Sequence, residues 1–362
     1  MMKKILTIMI CALMLLSFAV PVMASCRSEA EAIISNKASS SGAKSTQEWI
    51  RTLGETAGAG AEWYVLALSK LESGADFGAY AQALADYLSE NKLYGTNAQR
   101  CALAFIASGC GSSYIAYAAE NTIGEQGIMS YIWGLMLLRC GVESTKFTEQ
   151  DIVSEILSRR LSDGGFALYG EQSNVDITAM AITALAPYHE DTAVSEAIEG
   201  SLEFLSAAQT ENGGFVNYGV ENCESAAQVI IALCSVGINP ETDARFIKNG
   251  STVLDSVRSF AITDEGYAHV RGGVESEMAT VQALQAFTAM HLLESGELLF
   301  SFEMPEGMPD GFRDVEPYQG SDQSESGQSM DIKKTVCIAI IAACAVGIAV
   351  VVLLPQKNKK PF

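Results

Sequence analysis

Apolar residues recur at helical spacing along most of the chain, in two kinds of segment. Residues 149–161 and 192–209 are apolar on one side only, whereas 175–188 and 222–236 are apolar on nearly every side. A helix that is apolar all round is buried, and an amphipathic helix covers the outside of the core. The alternation therefore predicts an all-α protein built from pairs of one outer and one inner helix.

Six such pairs can be assigned along the chain. In order, they are a segment starting at 46 with 61–71, 77–91 with 96–108, 112–120 with 128–140, 149–161 with 175–188, 192–209 with 222–236, and 244–260 with 276–293. Strand patterns are scarce. We expect one short extended piece, at 297–302, packed against the helices.

A Gly-Gly-aromatic motif separates the outer and inner helices in the last three pairs. The aromatic residues are Phe166, Phe215 and Tyr267, so the unit repeats about every 50 residues, which indicates stacked supersecondary units. Glycine can adopt the positive φ that ends a helix, and a second glycine allows close backbone packing. About ten residues later an acidic residue opens the inner helix, where a carboxylate can cap free N–H groups.

The motif and its surroundings resemble a known superfamily. Residues 204–215, from Phe204 through Gln209 to Phe215, resemble the Gln-Trp repeat of squalene and terpene cyclases, with Phe215 where tryptophan is usual. Residues 174–179 resemble the entry of an inner helix in that superfamily. It includes protein prenyltransferase β subunits, cobalamin carriers and complement thioester domains. The resemblance implies an α6/α6 toroid over 25–312, with the clearest repeats at 150–295.

The two ends of the chain indicate export and anchoring. Residues 1–24 have the basic start, apolar run and small-residue cleavage site of a signal peptide, and 335–354 form an uncharged run long enough for a transmembrane helix. The acidic segment 313–334 is predicted to be a flexible stalk, and the lysine-bearing tail 355–362 should lie in the cytoplasm. We therefore expect a single-pass protein of the cell membrane with its toroid outside. The net charge of −20 disfavours nucleic acid as a partner.

The catalytic motifs of the superfamily are incomplete in this chain. The Asp-x-Asp-Asp motif of cyclases corresponds to 174–177, where only Asp176 is acidic. A prenyltransferase-type zinc site lacks its histidine, because Met278-Ala279-Thr280 stands where it is expected, and His269 is interpreted as an ordinary loop histidine. The contiguous thioester motif is also missing. We therefore predict no metal site and no catalytic residue. Asp176 would be the acid only if the protein is an enzyme, and its simpler role is a helix cap.

Cobalamin carriers bind their ligand through polar residues where inner helices begin, so cobalamin is one ligand that the resemblance admits. No other cofactor is implied. The ligand-binding candidates at comparable places are Tyr169, Asp176, Thr178, Tyr218, Asn222, Glu224, Gln228, Glu277 and Gln282. Tyr169 and Tyr218 occupy matching loops, where they could stack on a sugar or pack within the loop. Gln228 and Gln282 could equally join two inner helices by hydrogen bonds.

The favoured interpretation is a non-catalytic surface module that binds a small molecule, a surface protein or a glycan. One alternative is a cyclase- or prenyltransferase-like enzyme that acts on isoprenoid lipids. A second alternative is a cobalamin-binding carrier domain, and a third is a spacer without a small ligand. A filled interior with polar residues at one end would favour a binding module, whereas an aromatic-lined cavity with a deep acid would favour an enzyme.

Overall fold

The computed structural model describes residues 26–263 and 265–316. This part of the chain is mostly helical, which confirms the all-α prediction. The helices are α1 (26–40), α2 (Thr46–Thr52), α3 (Glu62–Leu71), α4 (Gly78–Glu90), α5 (Gly95–Ala107), α6 (Ser113–Asn121), α7 (Gly127–Leu138), α8 (Glu149–Leu157), α9 (Val175–Leu185), α10 (Thr192–Ala208), α11 (Cys223–Ser235), α12 (Val253–Arg258) and α13 (Glu277–Leu292).

Six of these helices form the core. Helices α3, α5, α7, α9, α11 and α13 each contact the next one in this order, and α13 contacts α3, so the order of contacts is closed. Every residue of α9 is buried, as are all but the last residue of α11. Helices that are buried on all sides must be apolar all round, which is what the sequence pattern predicts for them.

The amphipathic helices cover this core from outside. Helices α4, α6, α8, α10 and α12 alternate with the buried helices along the chain, and each packs on a buried neighbour. Helix α1, which the sequence pattern did not predict, is tied to the last repeat. Its Glu29 accepts a hydrogen bond from Arg258 at 2.8 Å, and its Lys37 donates one to Glu275 at 2.9 Å.

The Gly-Gly-aromatic motif has the predicted role. Gly164 and Gly213 have φ values of +90° and +79°, in the left-handed region that favours glycine. A side chain at Gly164 would collide with the backbone of Gly200, so the outer helix of the next repeat approaches here. Phe166 and Phe215 are completely buried. The glycines therefore let neighbouring repeats meet, and the aromatic rings fill the joint.

Two predicted elements are wrong. The predicted helix at 244–260 is instead a short 3₁₀ turn, a hairpin of β3 (Ile247–Lys248) and β4 (Ser251–Thr252), and the short α12. Asn249 and Gly250 both have positive φ, and Asn-Gly is a strong signal for a tight hairpin turn. The segment at 297–302 contains no strand. Its Leu299 and Phe300 are buried, so side-chain packing holds it in an irregular conformation.

Two further hairpins are formed by β1 (Val216–Asn217) with β2 (Val220–Glu221) and by β5 (Ala261–Ile262) with β6 (Gly266–Tyr267). Among helices within 26–316, none has both the length and the apolar character needed to cross a bilayer. The predicted signal peptide at 1–24 and transmembrane helix at 335–354 lie outside the described residues, as does most of the predicted stalk.

Candidate functional site

The start of each inner helix in the last three repeats is capped by an uncharged residue. The side chains of Asn174, Asn222 and Ser276 accept hydrogen bonds from backbone N–H groups of the first turn, at 3.1, 2.8 and 3.3 Å. The expectation that Asp176 is the helix cap is therefore wrong. Alignment by the true caps places Asp176 and Glu224 in equivalent positions, two residues after the cap. The third repeat has Met278 there, and Glu277 lies one position earlier.

Asp176 is buried, with 2% of its surface exposed, although its partners are few. Its Oδ2 accepts a hydrogen bond from Asn217 Nδ2 at 2.6 Å, and Asn217 is itself held by Asn174 at 2.7 Å. Its Oδ1 has no hydrogen-bond partner among the described residues. Burial raises the pKa of Asp176 to about 6, and the polar groups of Ser225 and Asn217 only partly oppose this. One carboxylate oxygen is thus buried without a close hydrogen bond.

Glu224 repeats this arrangement with a different partner. Its Oε2 lies 2.8 Å from Nδ1 of His269, and this hydrogen bond raises the pKa of His269. The His269 carbonyl accepts a hydrogen bond from Cys223 N at 3.1 Å, which fixes the loop on the start of α11. A protonated His269 therefore forms an ion pair with a buried carboxylate. The charges of Glu224 and His269 also act on the pKa of Asp176, so the three groups are coupled.

Asn217 and His269 occupy the same place in successive repeats. Each is the second residue after the buried aromatic, Phe215 or Tyr267, and each reaches back to the acid of the preceding repeat. The sequence interpretation missed both residues and treated His269 as an ordinary loop histidine. Their equal spacing from the aromatic residue is the signal that could have found them.

Two tyrosines lie beside these acids. Tyr169 and Tyr218 are the third residues after their aromatics, and they are 78% and 64% exposed. Tyr218 has a φ of +49° in the turn between β1 and β2. Burial raises the pKa of Tyr218, and so do the charges of Asp176 and Tyr169. We call the following residues the entrance cluster: Tyr169, Asp176, Asn217, Tyr218, Glu224, Ser225 and His269.

The other candidates are engaged in internal contacts. Thr178 Oγ1 accepts a hydrogen bond from Phe166 N at 2.9 Å, and Thr280 does the same for Tyr267 in the third repeat. Gln228 donates to Gln282 at 3.2 Å between α11 and α13. Besides capping α11, Asn222 donates to Val220 O.

The contacts of Glu277 are made outside the entrance cluster. Its carboxylate accepts a hydrogen bond from Tyr64 at 2.6 Å and pairs with Lys37. Tyr64 belongs to α3 and Lys37 to α1, so Glu277 joins the start of α13 to both helices. Thr178, Gln228, Glu277 and Gln282 thus have structural partners, whereas Tyr169, Asp176, Tyr218 and Glu224 come together in the entrance cluster.

Aromatic rings fill part of the space between the inner helices. Trp63 and Trp133 pack edge to face with ring centroids 5.4 Å apart, and Phe300 packs on Trp133 at 5.7 Å. The cavity that these rings line with Met136, Met180, Thr183 and Gln228 has a volume of about 10 Å³. That is room for about one water molecule. A prenyl chain has no room in this cavity.

The described residues contain no group of three or more His, Cys, Asp or Glu side chains placed to hold a metal ion. The six cysteines at 26, 101, 110, 140, 223 and 234 are buried, free thiols. No protein-family model matches the chain, and a search among curated proteins finds no similar sequence.

Proposed function

We propose that this protein is a non-catalytic binding module at the cell surface, built as an α6/α6 toroid that binds its ligand at the entrance cluster. The closed order of contacts from α3 to α13, with amphipathic helices outside, supports the toroid. The apolar segments at 1–24 and 335–354 support export and a single membrane anchor.

The observation that carries the proposal is the unpaired Oδ1 of Asp176. A buried polar atom without a partner costs free energy, so such atoms are rare unless a ligand, an ion or water completes them. Ser225, on the neighbouring α11, is the polar side chain that interacts with this carboxylate besides Asn217, and it lowers the Asp176 pKa only in part. The Asp176 carboxylate, with the exposed Tyr169 and Tyr218 of the same cluster, forms a site for a ligand with N–H or O–H donors and a flat face.

Native mass spectrometry of the purified full-length chain tests the proposal. The chain is incubated with a pool of cobalamins, polyprenyl diphosphates and cell-wall sugars, and we expect a retained adduct without a new product mass. Replacing Tyr169 and Tyr218 together by alanine should abolish the adduct. Tyr94→Ala is the matched control, because Tyr94 is 57% exposed and lies outside the entrance cluster. A cobalamin or polyprenyl adduct that survives the double replacement would place that ligand elsewhere and refute the proposed site.

One observation favours an enzyme as the second candidate. Asp176 has a pKa of about 6 and a free oxygen, which suits a general acid working near neutral pH. In that case the same experiment shows a converted polyprenyl mass, and Asp176→Asn abolishes the conversion while the substrate still binds. The small cavity beside Trp63 and Trp133 favours the binding module, because an isoprenoid chain does not fit there.

A further inference from the structure

A second pocket lies between α4 and α6 and shares no residue with the entrance cluster. Its volume is about 240 Å³. It is lined by Leu88, Asn91, Lys92, Leu93, Ser113, Tyr114, Tyr117, Val315 and Glu316. The pocket therefore accepts one small ring rather than a drug-sized molecule.

The end of the described chain builds one wall of this pocket. Asp314 accepts hydrogen bonds from Ser112 Oγ at 2.6 Å and from Ser113 N at 3.0 Å, at the start of α6. Arg313 pairs with Asp86 of α4 at 3.1 Å, and Glu316 N donates to Ser89 Oγ at 3.0 Å. Contacts to both helices hold this wall in place, so the pocket exists before any ligand binds.

Aromatic rings form the apolar side of the pocket. The rings of Tyr114 and Tyr117 lie with centroids 5.4 Å apart and an angle of 36° between their planes. Tyr114 is almost completely buried, whereas Tyr117 is 39% exposed and presents its ring to solvent. Leu88 and Leu93 extend the apolar surface. A flat, partly apolar face of a ligand can stack on such a ring.

The rim of the pocket is polar and has free hydrogen-bonding capacity. Asn91 uses its Nδ2 to bind the Tyr87 carbonyl at 2.9 Å, while its Oδ1 has no partner among the described residues. Lys92 contributes donors, and the Glu316 carboxylate, unpaired within the described chain, contributes acceptors. The lining of the pocket thus includes donors, acceptors and aromatic rings.

We propose that this pocket binds one hexopyranose ring of a carbohydrate. A pyranose has an apolar face of C–H groups that stacks on an aromatic ring, and an equatorial rim of hydroxyls that both donate and accept hydrogen bonds. Tyr117 provides the stacking surface, and Asn91, Lys92 and Glu316 provide partners for the hydroxyls. A lipid chain would leave the polar rim unpaired, and such unpaired groups penalise binding.

Titration of the purified full-length chain with glucose, galactose and N-acetylglucosamine up to millimolar concentrations, followed by saturation-transfer difference NMR, tests the inference. We expect saturable binding of at least one sugar. Tyr117→Ala should weaken it at least tenfold, Tyr117→Phe should retain it because the ring remains, and Asn91→Ala should weaken it several-fold.

The double replacement of Tyr169 and Tyr218 by alanine separates this pocket from the entrance cluster, and it should leave sugar binding here unchanged. Circular dichroism shows whether each variant is folded. If Tyr117→Ala does not fold, Asn91→Ala still tests the pocket. Absence of saturable binding by all three sugars would overturn the inference. So would sugar binding that Tyr117→Ala and Asn91→Ala leave intact while the double replacement removes it.

Discussion

Two buried acids at the starts of inner helices, Glu62 in α3 and Asp176 in α9, have opposite surroundings. Glu62 accepts hydrogen bonds from Gly60 N at 3.0 Å and Tyr80 at 3.3 Å, and it lies 3.5 Å from Arg100 Nε. Among the described residues, Asp176 accepts one close hydrogen bond, from Asn217, and forms no ion pair, and the hydroxyl of Ser225 interacts further with its carboxylate. The chain itself completes the environment of Glu62, but it does not complete that of Asp176.

The difference distinguishes Glu62, which has a structural role, from Asp176, which we propose contacts a ligand. Burying a carboxylate costs several kcal/mol unless hydrogen bonds and an opposite charge compensate. Around Glu62 this compensation is internal, and the guanidinium of Arg100 also stacks on Trp63, 4.9 Å from the ring centroid. Around Asp176 the cost remains as a raised pKa. The comparison therefore supports the proposed site at the entrance cluster rather than one at α3.

Replacing Glu62, whose charge is compensated within the chain, should have the largest effect on stability. Glu62→Gln keeps the volume but leaves the buried charge of Arg100 without its counterion, so we expect a loss of about 3–5 kcal/mol in the free energy of unfolding. Urea denaturation followed by circular dichroism measures it. Glu31→Gln is the control, because Glu31 pairs with Arg27 at the exposed surface and such pairs contribute little. Equal midpoints for both variants would refute the assignment of Glu62 as structural.

Neutralising Asp176 should instead increase the free energy of unfolding. The pKa of Asp176 is raised from 3.8 to about 6 on folding, so its ionisation destabilises the folded state. The protonated Asp176 therefore contributes to the free energy of unfolding in full below about pH 4. This contribution, about 3 kcal/mol in total, is lost as pH rises through about 6. Asp176→Asn removes this loss, and we expect it to raise the unfolding free energy at pH 7.5 but to change it little at pH 4.

The wild-type chain, measured at the same two pH values, provides the reference for Asp176→Asn, because all other titrating groups are shared. A variant that is less stable than wild type at pH 7.5 would mean that the carboxylate has a partner that the present contacts do not include. The stabilised variant should at the same time bind the entrance-cluster ligand more weakly, which would show that stability was exchanged for function.

The smallest expected effect is a difference between the pKa values of His269 and His291, which can be measured without changing the fold. The hydrogen bond to Glu224 raises the pKa of His269, whereas burial and the charge of Arg27 lower that of His291. In a proton NMR titration the ring resonance of His269 should therefore shift at higher pH than that of His291. Glu224→Gln should bring the pKa of His269 down, and His291 should not respond. Coincident titration curves would contradict the pairing of His269 with Glu224.

The helical rhythm was predictable because each inner helix is apolar enough to be recognised alone. Helix α1 and the hairpin at 247–252 were not predicted. For the hairpin, a local Asn-Gly turn overrides a helical pattern that continues on both sides of it. The acids of the entrance cluster were also predictable, since they open inner helices. Asn217 and His269 were not, because their role depends on a loop that reaches the preceding repeat.

The contact between α13 and α3 has a consequence for how the chain folds and evolves. Gln285 donates to the carbonyl of Trp63 at 2.9 Å, so residues more than 200 positions apart share a hydrogen bond. Contacts of such high sequence separation slow folding, because the loop between them must be ordered first. An open solenoid can gain or lose a repeat at its end, but a closed order has no end. Duplication of one repeat here would force every inner helix to change its packing angle.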